Sequence, residues 1–270
     1  MYLIFQAAEP LINNYALLFG MRKKIIVLGG SSGIGKAIAE RFAREGWQVL
    51  LAGHNYTQCI EVVDGLEGKE HLTFELDVRN DLHLTNFQQF VKEIFPGFDA
   101  FVNSIGISQS LPAICTDFST WDNALQVMLY GCVKACRILV PLIKDDGRII
   151  NITSIHYERV ANGSSAYGMA KAAITQFTRS LAVELAPRNI LCNCIAPGFV
   201  NTPLSIKADG RNELESDWFK DNYINYDHLP LKRPARPEEI AGVAWFLAGP
   251  DATYLTGSVL TVDGGLMITF

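Results

Sequence analysis

From residue 24 onward, seven short apolar runs alternate with stretches in which apolar residues recur at helical spacing. This alternation restricts the fold more than any other feature of the sequence. Each run is continuously apolar, which is typical of strands buried on both faces. The runs are KIIVLGG, WQVLLAG, HLTFELDV, FDAFVNS, GRIINITS, NILCNCIAPG and SVLTVDGG. Repeated strand–helix units of this kind predict an α/β fold, a doubly wound parallel sheet of about seven strands with helices on both faces.

The runs are separated by stretches in which apolar residues recur at helical spacing. These stretches occur at 35–46 and near 57–66, 81–95, 120–144, 164–186 and 237–248. The stretch 199–233 is polar, aromatic and irregular instead, and it follows the end of a predicted strand. Ligands bind at strand ends in open α/β sheets, so we expect this stretch to be a lid over a substrate, with short helices inside it.

The first 20 residues are apolar but have no basic region, and Glu9-Pro10 interrupts them. They make a poor signal peptide and are too short and broken for a membrane span. Met21 then opens MRKKIIVLGG like a natural start. We expect residues 1–20 to be a poorly ordered extension, although an apolar arm docked on a partner subunit is the alternative. Residues 21–270 are predicted to form a single domain.

Composition excludes several classes of function. The formal net charge is −5 and no basic block occurs, which argues against a nucleic-acid binder. The cysteines form no CxxC pair and have no His at metal-ligand spacing, so no metal site is expected. They are interpreted as buried small side chains in a reducing compartment, the cytoplasm. The six are Cys59, Cys115, Cys132, Cys136, Cys192 and Cys194.

A glycine cluster, LGGSSGIG at 28–35, lies between the first strand and the first helix. Glycines at this point permit a tight turn and close approach to a pyrophosphate, which the helix N-terminus attracts. The second strand ends in Gly53 and His54, without the carboxylate that holds the ribose of NAD. This favours NADP over NAD, with His54 and Asn55 as candidate contacts, unless Gly53-His54 is only the exit from the strand. Asp77 follows the third strand, where it is expected to reach the adenine.

Tyr167 and Lys171 stand four residues apart in SSAYGMAKAAITQF and would share one face of a helix. By itself this spacing fits a surface pair as well as an acid beside the cation that tunes it.

Taken together, the motifs resemble the short-chain dehydrogenase/reductase family, in its short single-domain branch, from about residue 22 to 266. They are GGSSGIG, NSIG, NITS, YGMAK, APGFVNTP and TGSVLTVDGG, in that order. The resemblance implies a Rossmann-like sheet of seven parallel strands. It also implies a nicotinamide cofactor, NADP or NAD, and interconversion of a small-molecule carbonyl and a secondary alcohol by hydride transfer.

The family's site residues carry over position by position. Tyr167 matches the general acid/base, and Lys171 matches the residue that binds the nicotinamide ribose and lowers the tyrosine pKa. Ser154 matches the serine that bonds the substrate oxygen, Asn103 the asparagine that braces its strand, and Thr202 the contact to the nicotinamide amide. The expected cofactor contacts are Gly29, Ser31, Ser32, Gly33, Ile34, Gly35, His54, Asp77, Val78, Asn103, Tyr167, Lys171, Pro197, Gly198, Val200 and Thr202.

Two positions depart from the family pattern. Leu28 stands where a threonine usually precedes the first glycine, and Met128 replaces an asparagine that is thought to hold a helix kink and a water linked to the catalytic lysine. Asn123 lies on a different helical face and is a poor substitute. Two hypotheses therefore remain: an active oxidoreductase, or a cofactor-binding protein that catalyses little because of Met128.

The substrate is not determined by these motifs. His156, with Tyr157 and Glu158 beside it, has a spacing similar to glucose 1-dehydrogenases and would suit sugar hydroxyls, unless it only lines a loop. The pattern is equally similar to 3-oxoacyl-(acyl-carrier-protein) reductases, which are expected to show basic residues near the pocket. The candidates for that are Arg159, Lys207, Arg211 and Lys220, offset by Glu213, Glu215, Asp217 and Asp221.

The lid aromatics would suit a partly apolar substrate; they are Trp218, Phe219, Tyr223 and Tyr226. The resemblance also implies a homotetramer or homodimer, built through the helices at 120–144 and 164–186 and the last strand.

Overall fold

The computed structural model describes residues 22–108, 110–114, 117–207 and 209–269, so the predicted extension at 1–20 and Cys115 lie outside the described residues. Seven strands within these residues form one parallel sheet in the order β3-β2-β1-β4-β5-β6-β7. They are β1 (Lys24–Leu28), β2 (Gln48–Gly53), β3 (Leu72–Glu75), β4 (Phe98–Asn103), β5 (Ile143–Ile152), β6 (Leu191–Pro197) and β7 (Val259–Val262). Each strand overlaps one of the seven apolar runs, so the predicted sheet is confirmed.

Helices connect the strands in the predicted order. They are α1 (Gly33–Arg44), α2 (Tyr56–Asp64), α3 (Asp81–Ile94), α4 (Phe118–Ala124), α5 (Gly131–Leu139), α6 (Ser165–Leu185) and α7 (Pro237–Ala248), with a π-helical segment at Leu125–Tyr130 between α4 and α5. Side-chain oxygens cap the starts of α2, α3 and α4: Asn55, Asn80 and Asp117 each accept a backbone N–H of the first turn.

Two apolar clusters cover the two faces of the sheet. Ile26 of β1 packs with Phe87 and Phe101 on one face, and its neighbour Ile25 packs with Phe42 on the other. Successive strand side chains point to opposite faces, so a strand covered on both sides carries apolar residues at successive positions. This is why apolar and polar residues do not alternate within the strand sequences.

The boundary before β5 differs from the prediction. The helix expected at 120–144 ends at Leu139, and β5 begins at Ile143 rather than at the glycine of GRIINITS. A bulge lies inside β5, between Ile143 and Gly147. Asp146 has a φ of 62° there, and the pairing of β5 with β4 shifts register between Phe98 and Ala100. Residues 144–146 are exposed and polar, so their sequence does not look like a strand.

The irregular stretch at 199–233 contains the predicted short helices. They are turns at Pro203–Ser205, Glu213–Glu215 and Asp217–Phe219 and a π-helical segment at Lys220–Asn225. Phe199, Phe219 and Tyr223 pack together with Leu229 in a small apolar cluster of their own. The stretch therefore has its own core beside the carboxyl ends of the strands.

Candidate active site

A cleft of about 620 Å³ lies at the carboxyl ends of the strands, where open parallel sheets bind ligands. The loops after β1 to β6 all contribute to it. The predicted residues that line it are Gly29, Ser31, Ser32, Gly33, Ile34, His54, Asp77, Val78, Ser154, Tyr167, Lys171, Pro197, Gly198, Val200 and Thr202. The structure thus brings together residues spread over more than 170 positions of sequence.

Gly35 and Asn103 do not line the cleft, and Gly35 packs directly against the glycine loop. A Cβ on Gly35 would lie 2.2 Å from the carbonyl oxygen of Gly29, so only glycine fits there. Gly29 has a φ of 71°, and a Cβ on it would lie 2.8 Å from the carbonyl oxygen of Ser104. Asn103 is buried, and its Oδ1 accepts the N–H of Ile105 at 3.3 Å. The carbonyl oxygen of Leu28 accepts the N–H of Ser104 at 2.9 Å, so the start of the loop is held to the end of β4.

The start of α1 is suited to an anion. Its N-cap residue, Ser32, makes no side-chain capping bond, in contrast to the caps of α2 to α4, and its first turn has no acidic residue. The N–H groups of that turn and the positive end of the helix dipole therefore face the cleft without a side-chain partner. On the other side, a Cβ on Gly33 would meet Thr202 at 3.2 Å. This narrow cradle fits the pyrophosphate of a dinucleotide.

Ser154, Tyr167 and Lys171 lie together at the other end of the cleft. Ser154 follows β5, and its Oγ accepts the N–H of His156 at 3.2 Å, a bond that does not use the hydroxyl proton. Tyr167 and Lys171 lie near the start of α6, and the Lys171 Nζ is 5.6 Å from the centre of the tyrosine ring. The Nζ donates to the carbonyl oxygen of Ile152 at 2.9 Å and to that of Ile105 at 3.4 Å.

Burial decides the charge states in this group. It raises the pKa of Tyr167, and a hydrogen bond with Ser154 opposes that shift. It also lowers the pKa of Lys171 to about 8. The structure therefore departs from the predicted lowering of the tyrosine pKa. The physical reason is that desolvation disfavours the phenolate, while the lysine is directed at two backbone carbonyls.

His156 does not line the cleft, although the sequence offered it as a contact for sugar hydroxyls. Its Nδ1 lies 3.3 Å from the Oγ of Ser164, and its ring packs edge-on against Tyr167 at 5.5 Å between centroids. Burial lowers the pKa of His156, so the neutral ring is favoured. The interpretation of His156 as a loop residue is the one the structure supports.

The predicted lid aromatics are also absent from the cleft lining. Trp218 and Phe219 pack on Tyr223 at ring distances of 5.7 and 5.3 Å, so these three rings stabilise the lid itself. The stretch 199–233 contributes other side chains to the cleft. They are Phe199, Pro203, Leu204, Ser205, Glu213 and Leu214.

The basic candidates for a carrier-protein surface are engaged with their neighbours. Lys207 pairs with Glu213 at 3.5 Å, Arg211 with Asp209 at 2.6 Å and Lys220 with Asp217 at 3.7 Å. Arg159 bonds the carbonyl oxygen of Met267.

Sequence reasoning missed Arg79, which lines the cleft two residues after Asp77. Its guanidinium bonds both oxygens of Asp77, at 3.0 and 2.8 Å. It also donates to the Oδ1 of Asn123 at 3.2 Å. The sequence signal for it was the spacing of Asp77 and Arg79, an acidic and a basic residue two positions apart just after a strand.

Met128 is fully buried within the π-helical segment and packs in the apolar cluster that includes Phe101 and Cys132. The helix is thus irregular here without the family's asparagine. Asn123 bonds Arg79 instead, which agrees with the prediction that it does not replace that asparagine.

Among the described residues, no group of three or more metal-ligating side chains could hold a metal ion. No helix within the same ranges has both the length and the apolar character needed to cross a membrane.

A family model described as enoyl-(acyl carrier protein) reductase matches residues 29–267. The 3-oxoacyl-(acyl-carrier-protein) reductase of Chlamydia trachomatis is 34% identical over 252 residues, covering 91% of this chain and 98% of the relative.

Solved structures of similar chains agree with this match. A dehydrogenase/reductase from Sinorhizobium meliloti has a TM-score of 0.82 and 33% identity, covering 90% of this chain and 94% of the other. The aldohexose dehydrogenase of Thermoplasma acidophilum has a TM-score of 0.79 and 30% identity, with 92% and 95% covered.

Proposed function

This chain belongs to the short-chain dehydrogenase/reductase family and is an NAD(P)-dependent oxidoreductase that interconverts a carbonyl and a secondary alcohol; we propose that Tyr167 is its general acid/base. The observation that carries the proposal is the convergence of Ser154, Tyr167 and Lys171 in one cleft, opposite the glycine loop. A bound nicotinamide cofactor supplies or accepts the hydride.

In the direction of reduction, charge develops on the carbonyl oxygen and must be neutralised by a proton. The raised pKa of Tyr167 keeps the phenol protonated, so its hydroxyl can donate to that oxygen. Ser154 donates a second hydrogen bond to the same oxygen, since its hydroxyl proton is not used by His156. Lys171 would hold the cofactor's ribose, and it carries positive charge below a pH of about 8.

The remaining contacts for the cofactor follow from the shape of the cleft. The uncapped start of α1 and the backbone of Gly29, Ser31 and Gly33 would hold the pyrophosphate, and Thr202 would contact the nicotinamide end. NADP is preferred over NAD because the exposed His54 lines the cleft at the end of β2, with no carboxylate there to repel a 2′-phosphate. The Oδ1 of Asn55 caps α2 by accepting the N–H of Gln58, and Asn55 does not line the cleft.

The substrate end of the cleft favours a partly apolar carbonyl compound. Its wall includes Ile107, Val127, Phe199, Leu204 and Leu214. A 3-oxoacyl thioester fits this wall better than a sugar does, because His156 lies outside the cleft. Recognition of an acidic carrier protein through the lid is not favoured, since the basic side chains there are paired with acidic ones.

We further propose a homotetramer or homodimer in the cytoplasm. Apolar side chains of α4 and α6 are exposed in the single chain: Phe118, Met169 and Val183. Covering them in an assembly would remove apolar area from water. The five described cysteines are all free and buried, which suits a reducing compartment. Light scattering on the purified protein measures the assembly state directly.

The test of this function is oxidation of NADPH and NADH across a carbonyl panel, with the reverse reaction run on aldoses. The panel contains a 3-oxoacyl thioester, an aromatic ketone and a keto-sugar. We expect turnover of the thioester or the ketone, a higher kcat/KM with NADPH, and loss of most activity in Ser154→Ala. Turnover restricted to sugars would contradict the proposed substrate class, and turnover unaffected by Ser154→Ala would contradict the proposed site.

A further inference from the structure

His156 contacts both proposed hydrogen-bond donors of the reacting group, although it lies outside the cleft lining. Its backbone N–H donates to the Oγ of Ser154 at 3.2 Å. Its ring lies edge-on to the ring of Tyr167, with 5.5 Å between the centroids and 85° between the planes. One residue therefore touches the serine through its main chain and the tyrosine through its side chain.

The hydrogen bonds around Ser164 determine which nitrogen of the His156 ring carries the proton. The Ser164 hydroxyl donates its proton to the carbonyl oxygen of Ala161 at 2.7 Å, and its Oγ accepts the N–H of Ala161 at 3.2 Å. A hydroxyl group has one donor and two acceptor positions, so the Nδ1 of His156, 3.3 Å away, is the donor to the remaining one. The imidazole thus carries its proton on Nδ1, and Ser164 fixes its rotation.

Helix stability does not explain this arrangement of Ser164. The residue is the N-cap of α6, a position where a serine side chain commonly accepts a backbone N–H of the first turn. Ser164 makes no such bond, whereas Asn55, Asn80 and Asp117 cap α2, α3 and α4. The hydroxyl of Ser164 is directed back to the loop and to His156 instead. The helix that carries the proposed acid thus lacks a capping bond where the histidine ring is held.

The packing around Tyr167 gives the imidazole a direct effect on the direction of the phenol. The Nζ of Lys171 lies 5.6 Å from the centre of the tyrosine ring, and the edge-on contact with His156 is a preferred geometry for two rings. A Cβ on Gly168 would lie 3.2 Å from the carbonyl oxygen of His156, so the start of α6 packs closely on the turn that carries the histidine. Without the imidazole, a space would open beside the phenol, and its side chain would gain freedom to rotate.

We propose that His156 is a positioning residue for the reaction: its ring holds the phenol of Tyr167 in the direction from which the proton reaches the carbonyl oxygen. This inference rests on the proposed function, with Tyr167 as the acid/base. A displacement of a reacting group by about 1 Å can cost about a hundredfold in rate. The effect lies in the ring, because the main-chain bond to Ser154 persists whatever side chain stands at 156.

The experiment separates the ring of His156 from its hydrogen bond. His156→Phe keeps an edge-on ring and loses the donor to Ser164, His156→Asn keeps a donor near the place of Nδ1 and loses the ring, and His156→Ala loses both. For each variant, kcat and KM are measured with a 3-oxoacyl thioester, or with the aromatic ketone if the wild type turns it over faster. The solvent deuterium isotope effect on kcat, the Kd for NADPH and the melting temperature complete the set.

The control is His71→Ala, which removes a half-buried histidine at the opposite end of the sheet, just before β3. The His71 Nδ1 accepts the N–H of Val49 at 3.1 Å, and its Nε2 bonds the carbonyl oxygen of Glu67 at 2.8 Å. It does not line the cleft. This variant should lower the melting temperature and leave kcat unchanged, so it shows what a loss of structural support alone does.

We expect kcat to fall by about tenfold or more in His156→Ala and His156→Asn, and to stay within about threefold of the wild type in His156→Phe. The Kd for NADPH should change by less than about twofold in all three variants. The solvent isotope effect on kcat should rise in His156→Asn and His156→Ala, because proton transfer from a misdirected phenol becomes slower.

An unchanged kcat in His156→Asn, or a loss of kcat in His156→Phe as large as in His156→Asn, would overturn the inference and leave the proposed function in place. These two variants decide the matter even if His156→Ala does not fold. A wild type that turns over no carbonyl compound would overturn the proposed function itself, and the inference with it.

Discussion

Lys171 lies one helical turn after Tyr167, with its Nζ 5.6 Å from the centre of the tyrosine ring and 2.9 Å from the carbonyl oxygen of Ile152. The ammonium is thereby held between the proposed acid and the end of β5. Since burial lowers its pKa to about 8, its charge changes within an ordinary working range of pH.

The first prediction concerns the pH dependence of stability. A lysine with a pKa of about 8 when folded and about 10.4 when unfolded binds its proton more weakly in the folded state. Between these values the unfolded chain holds more protons, so the stability of the wild type rises with pH there. Relative to Lys171→Met, its free energy of unfolding should increase by about 2 kcal/mol from pH 7 to 9.5. Urea unfolding at both pH values measures this, and an unchanged difference would show that Lys171 titrates normally.

A second prediction tests the close packing behind the glycine loop. Gly35→Ala should weaken cofactor binding by at least about tenfold and lower the melting temperature, because the new methyl group would lie 2.2 Å from the Gly29 carbonyl oxygen. Gly242→Ala is the matched control in helix α7, where a Cβ meets nothing within 4 Å. It should stabilise the protein by about 0.5–1 kcal/mol. Similar behaviour of the two variants would mean that the loop is not packed as described.

Cofactor preference gives a third prediction. His54→Asp places a carboxylate at the end of β2, where it can accept the hydroxyls of an adenosine ribose and repel a 2′-phosphate. The ratio of affinities for NADPH and NADH should fall by about tenfold or more. Thr57→Asp, an exposed change in the first turn of α2 and outside the cleft lining, should leave the ratio unchanged. Fluorescence titration with both cofactors measures it, and a constant ratio in His54→Asp would contradict the assignment of this end of the cleft.

Met128 provides a fourth prediction. Since Lys171 is held by two backbone carbonyls, the apolar side chain at 128 should be needed for packing only. Met128→Leu should keep near wild-type turnover and lose less than about 1.5 kcal/mol of stability. Met128→Asn should be destabilised by about 1–3 kcal/mol, because a polar group would be buried in an apolar cluster. Chemical unfolding and turnover of both variants test this. Higher turnover in Met128→Asn would instead show that the native methionine limits proton transfer.

The sheet was predictable because the physical cause of each strand is local. Burial on both faces makes residues 25–28 of β1 apolar, as Ile25 and Ile26 show on opposite faces. The start of β5 was not predictable, since the exposed bulge near Asp146 depends on pairing with β4.

The sequence motifs predicted the cleft residues that lie within them. They did not predict the roles of residues between the motifs. Ser154, Tyr167 and Lys171 are fixed by strand ends and helical spacing. The roles of His156, Trp218 and Arg79 depend on side-chain partners that are distant in sequence or on the direction in which a loop turns. The pKa of Tyr167 likewise depends on its depth in the fold, which spacing to Lys171 does not reveal.

The most direct test of the central claim compares Tyr167→Phe with the wild type in both turnover and cofactor binding. Removal of one oxygen atom deletes the proposed acid and keeps the ring that packs against His156. We predict that kcat falls by about 10²–10⁴-fold, while the dissociation constant for NADPH changes by less than about threefold. Turnover that persists at the wild-type level in Tyr167→Phe would contradict the assignment of Tyr167 as the acid/base.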